Sequence, residues 1–156
     1  MKTNNALSSY RLIDFSNLPE QEGKQVILTE HGTFRWIPEY AGTISVKKDL
    51  PPPAEGTPPP IDIDGEHLYV VTTVQGNFVQ LEPTKPASRI SYDAYYPSNG
   101  LENTSAMVHL SDNSTVQVVT KDLHFDYTAP GELTIKSLDI FAYRDGTALD
   151  NFRLYD

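Results

Sequence analysis

The sequence contains no cysteine, a single tryptophan, and only 12 lysines and arginines against 21 aspartates and glutamates in 156 residues. Without cysteine there is neither a disulfide framework nor a thiolate metal site, and the chain can fold in a reducing or an oxidising compartment. A formal charge of −9 speaks against nucleic acid as a partner, because phosphate tracking draws its affinity from clustered Lys and Arg. No stretch approaches the roughly 18 consecutive apolar residues of a membrane span, so a soluble chain without membrane insertion is expected. The opening "MKTNNALSSYRLIDF" lacks the apolar core of a secretory signal; either the protein stays inside or a leader has been removed. Enzyme signatures are missing too: there is no G-x-S-x-G elbow, no glycine-rich phosphate loop and no Cys nucleophile. The length suits one domain, and a small sandwich leaves little room for a catalytic cleft, so a noncatalytic protein is expected.

What the chain does have is alternation. "KQVILTEH", "TFRWIPEY", "EHLYVVTTV", "NFVQLEP", "SRISYDAYY", "SAMVHLSD", "STVQVVTKD" and "ELTIKSLDIFAY" are rich in the β-branched and aromatic residues that suit a pleated, half-buried surface, and their period is two. Helical spacing is scarce; "SNLPEQEGK" and the segment near Asp122 hold a single turn at most. Turn signals fall at short intervals. "SAMVHLSDNSTVQVVT" and "LDIFAYRDGTALDNFRL" read as hairpins whose Asp-Asn and Asp-Gly pairs accept the positive φ of a tight turn. Many short strands so spaced predict a jelly-roll β-sandwich of two antiparallel sheets.

The stretch at about 49–60 holds six prolines in the ten residues "PPPAEGTPPP", which cannot donate to a sheet ladder and favour extended geometry. A domain boundary there would leave about fifty residues before it, near the lower limit for independent folding. One domain over 1–156 with a proline-rich surface loop is the reading adopted. Near the other end, Leu149 and Phe152 in "TALDNFRLYD" are three apart, out of strict alternation. A bulge at Asp150-Asn151 reconciles them.

The order "LIDFSNLP", "GTFRW", "VQGNFVQLEP", "RISYDAYYPSNGLENTSAMVHLSDNSTVQVVT", "SLDIFAYRDGTALDNFRL" resembles small jelly-roll domains of bacterial secreted and surface proteins, relatives of carbohydrate-binding modules with the galactose-binding-like fold. The resemblance implies a secreted or surface location, a glycan or polysaccharide partner, and opening and closing strands that lie together. It also implies a structural calcium where the chain ends meet, with Asp14 and Asp150 as its ligands. A hard cation takes about six to eight oxygens, and the two aspartates serve equally as turn caps.

Candidate glycan contacts are Trp36, Tyr92, Asp93, Tyr95, Tyr96, Asn99 and Asn103. An aromatic face suits the C–H side of a pyranose, and Asp and Asn satisfy its hydroxyls. The competing reading makes Trp36 core and the tyrosines half-buried sheet residues. Asp62, Asp64 and Glu66 in "IDIDGE" share one strand face and read most simply as a solvated edge. The four histidines show no metal-ligand spacing. Two functions of different class follow: a noncatalytic, lectin-like carbohydrate-binding module, or a structural or adhesive assembly protein of a cell surface or phage particle, acting as a homo-oligomer.

Overall fold

The computed structural model describes residues 9–37, 42–50, 63–72, 78–95, 105–142 and 146–156. Tyr96, Asn99, Asn103, Asp62 and the prolines at 51–60 lie outside them. The described residues form thirteen strands and no helix: β1 (Tyr10–Ile13), β2 (Gln21–Lys24), β3 (Val26–Leu28), β4 (Gly32–Trp36), β5 (Gly42–Lys47), β6 (His67–Thr72), β7 (Phe78–Pro83), β8 (Arg89–Tyr95), β9 (Ser105–Leu110), β10 (Thr115–Val119), β11 (His124–Thr128), β12 (Ile135–Phe141) and β13 (Thr147–Tyr155). They pair into two antiparallel sheets. One has seven strands in the order β11-β8-β13-β6-β5-β2, with β1 also on β13; the other has six in the order β10-β9-β12-β7-β4-β3.

The alternation in the sequence becomes burial. In β9, Ala106, Val108 and Leu110 point inward while Ser105, Met107 and His109 stay half-exposed. In β4, Phe34 and Trp36 are buried and Arg35 is exposed. Removing each such Val, Leu, Ile or Phe from water contributes about 1.5–3 kcal/mol, which makes the inward rows the reason the sheets adhere. Aromatic rings connect the layers. Phe125 stacks on Tyr92 at 4.6 Å, Tyr92 on Phe152 at 4.9 Å, and Phe152 meets Phe34 of the opposite sheet edge-on at 5.0 Å.

The first expected hairpin forms: β9 and β10 pair across a turn in which Asn113 takes φ 68° and the Asp112 carboxylate accepts the Ser114 N–H at 2.9 Å. The second does not. β12 belongs to the six-stranded sheet and β13 to the seven-stranded one, so the chain changes sheets between Phe141 and Thr147. Leu138 and Ile140 face the core from one side, and Leu149 and Phe152 from the other; a hairpin would have put all four on one layer.

The bulge is where the spacing placed it. The register of β13 on β8 shifts between Asp150 and Arg153, and Asn151 sits at φ 54°. Beyond the bulge, β1 pairs antiparallel with β13, Tyr10 opposite Tyr155 and Ile13 opposite Phe152. The opening and closing strands therefore lie side by side. On the outward side of the seven-stranded sheet, Ile63, Tyr69, Tyr95 and Ala148 form a second, smaller cluster against which Leu50 packs. The residues flanking the proline-rich segment meet there.

Candidate functional site

Strand parity decides the fate of the aromatic residues singled out in the sequence. Trp36 is fully enclosed, and a Cβ at Gly42 would clash with its indole ring and with the Val71 carbonyl, so that glycine is required by close approach. Tyr92 shares the inward parity of Ile90 and Ala94 and is the middle ring of the stack. Tyr95 has the opposite parity, with Asp93, yet is buried in the second cluster. An exposed platform built from Trp36, Tyr92 and Tyr95 is therefore corrected: their ring faces are all covered by protein.

Asp93 does sit in a polar group. It lies across β8 from His124 on β11 and from Asp150 on β13. His124 Nδ1 is 2.7 Å from Asp93 Oδ1, and the Asn151 amide donates to Oδ2 at 3.1 Å. The bulge is what brings Asn151 within reach. Asp150 itself is 2% exposed, and its carboxyl is pushed up to about 8, first by burial and then by the charges of Asp14, Asp93 and Glu66. Its Oδ1 accepts the Asn151 N–H at 2.8 Å, while Asp14 Oδ1 accepts the Ser16 N–H at 3.1 Å and its hydroxyl at 2.7 Å. Both aspartates thus cap local backbone. The donor chemistry, oxygen throughout, suits a hard cation, and an acid as deeply buried as Asp150 needs a proton or a counter-charge. Among the described residues, however, no three His, Asp or Glu side chains converge at metal-binding range.

A second arrangement lies on the outward face of the six-stranded sheet. The strand registers set Gln117 beside Met107, Met107 beside Asp139, Asp139 beside Gln80, and Gln80 beside Arg35. This is a row across five strands, with neighbouring strands about 4.8 Å apart. Gln80 Nε2 donates to Asp139 Oδ1 at 3.2 Å, and His109 Nε2 meets Asp139 Oδ2 at 2.6 Å. Asp139 thereby fixes the amide and the imidazole together. Phe78 and Phe141 face each other in the next row, edge to face, with centroids 5.8 Å apart. All but the exposed Arg35 and Gln117 are half-buried, which leaves a firm, open surface with apolar and polar halves.

Nothing in the sequence joined these residues, because they come from strands separated by dozens of positions. The available signal was the outward half of each alternation, where Gln80, His109 and Asp139 fall between inward apolar residues. No protein-family model matches the chain, and no curated protein matches it either.

Proposed function

We propose that the protein is a noncatalytic, lectin-like carbohydrate-binding module, and that a glycan lies on the outward face of the six-stranded sheet. The observation that carries this reading is the group Gln80, Asp139 and His109, held together by hydrogen bonds beside the Phe78–Phe141 pair. A sugar ring has an apolar C–H face and an equatorial rim of hydroxyls, and this surface offers a partner for each. Pre-bonded polar groups lose little freedom on binding, which keeps the association cost down.

A glycan array probed with the whole chain, followed by titration of the best ligand, tests it. Gln80→Ala and Phe141→Ala each weaken binding by about tenfold, the worth of one lost hydrogen-bonded or stacked contact, with the midpoint of thermal melting little changed. Binding that survives both substitutions would remove the site from this face.

A calcium ion at Asp14 and Asp150 belongs to the same proposal as a structural element. It would relieve the charge that burial denies Asp150. Calcium then raises the melting midpoint of the wild-type chain at pH 8 and has no such effect on Asp150→Asn.

The competing function, a surface or phage assembly protein, finds its support in Leu28, 68% exposed on the edge strand β3 next to the exposed Val26. A blank array together with a multiple of the chain mass in solution would favour it.

A further inference from the structure

The described face of β1, β13, β8 and β11 that points away from the core changes character along the strands. Asp150 and Asp93 form its buried, acidic row, which the half-exposed His124 closes on the β11 side. Beyond the bulge come Leu12, Arg153, Ser91 and Asp126, and then Tyr10, Tyr155, Arg89 and Thr128, each row in register across the four strands. Tyr10 and Leu12 are 46% and 42% exposed. The two tyrosine rings are 5.3 Å apart, with the Arg89 guanidinium 4.6 Å from the centre of Tyr155 and that of Arg153 5.7 Å from the centre of Tyr10.

The charges here run against the rest of the chain. Arg11, Lys85, Arg89 and Arg153 gather around this end of the sheet. Asp126 takes Arg89 in two hydrogen bonds of 2.8 and 2.7 Å, and Asp156 serves both Arg11 and Lys85. Arg153 has no carboxylate partner among the described residues. A protein of net charge −9 therefore sets Arg89 and Arg153 against the single carboxylate of Asp126 on this part of the face, and the Arg153 guanidinium lies over the exposed Tyr10 ring.

We infer that this outward face of β1, β13 and β8 is a second binding surface, fitted to a carboxylate-bearing polysaccharide such as a polyuronate. A guanidinium stacked on a phenol is held with its N–H edges toward solvent, ready for the fork-to-fork pairing that carboxylates prefer. Tyr10 and Leu12 supply apolar area for the C–H face of the same sugar unit, and the phenol hydroxyls can bond its hydroxyls. The face suits a sugar chain better than an acidic peptide. The backbone groups of β13 and β8 are consumed by their ladders, so a peptide lying across those two strands, where Arg153 and Arg89 stand, would find no main-chain partners, whereas uronate hydroxyls and carboxylates need only side chains. The inference does not depend on the sugar site of the six-stranded sheet.

The test is retention of the chain on polygalacturonate at low salt, with methyl-esterified polygalacturonate and poly-glutamate as companion probes. The acid form binds and is released by salt, the ester form does not bind, and poly-glutamate binds more weakly. Arg153→Gln and Tyr10→Ala each weaken polygalacturonate binding by about tenfold. Lys136→Gln, the same change in charge on the other sheet, leaves it unaltered. Failure of the wild-type chain to bind polygalacturonate, equal binding by Arg153→Gln, or a preference for poly-glutamate would each overturn the assignment.

Discussion

Asp150 is a carboxyl among carboxyls, closed off from water by the sheet that carries it. Its ordinary value lies near 3.8 and its folded value near 8. Between those two the unfolded chain has released the proton that the folded chain keeps, so unfolding releases a proton and each rise in pH favours the unfolded state. His67 works in the opposite sense. Burial holds its imidazole below 6.5, and the stability that this neutral form brings is lost as pH falls below that value. Between pH 6.5 and 8 the Asp150 effect is the one left among the described residues, since the Tyr95 hydroxyl, raised by burial, acts only at more alkaline pH. In chelated buffer the melting midpoint therefore falls from pH 6.5 to 8 and flattens beyond, and Asp150→Asn abolishes the fall and raises the midpoint at pH 8; calorimetric scans across that range check it. Trp36 gives a contrasting expectation. Trp36→Ala empties a fully enclosed site and costs about 3–5 kcal/mol, read as a large drop in melting midpoint rather than a loss of ligand. The sequence already showed that Trp36 and Phe34 share a face and that Arg35 does not. It could not show that the outward Tyr95 is covered, because alternation reads the same whether the far side of a strand meets water or a folded-over segment.

At the scale of elements, the bulge in β13 was legible and the crossover before it was not, for one physical reason. Leu149 and Phe152 both have to reach the core, and three residues of separation cannot do that on a regular strand, so the irregularity is written in the spacing. A glycine turn such as "RDGT" announces only that the chain reverses; whether the next strand joins the same sheet depends on what its apolar face finds to cover. Gly146, at φ 113° against the Tyr69 ring, opens β13 on the far sheet. The bulge also carries a stability prediction. Asn151 occupies a left-handed conformation that glycine accepts and a β-branched residue resists. Asn151→Val costs about 2 kcal/mol, whereas Asn151→Gly loses chiefly the side-chain bond to Asp93, about 1 kcal/mol. Equilibrium denaturation in urea separates the two.

For the molecule as a whole, composition set the class and periodicity the architecture, while both proposed binding surfaces had to wait for the registers that gather residues from distant strands. The exposed large apolar side chains of the described residues, Tyr10, Leu12, Val26, Leu28, Val71 and Val119, lie on four separate strands and make no continuous patch of the size that sustains a stable oligomer. The chain is accordingly expected to sediment at the mass of a monomer at micromolar concentration; a dimer that Leu28→Lys dissolves would contradict this and point to the β3 edge.

The pairing of β1 with β13 has a mechanical consequence. Tyr10 stands opposite Tyr155, so whatever is joined to these two strands leaves from the same end of the sandwich, side by side. Tension applied through both attachments would pull the ladder open one rung at a time from Tyr10–Tyr155 inward, like a zip, instead of loading all its hydrogen bonds at once in shear. The fold would yield to such a pull at low force, beginning at the face that carries Arg153, and the proposed uronate surface would be the first part of the molecule to come apart.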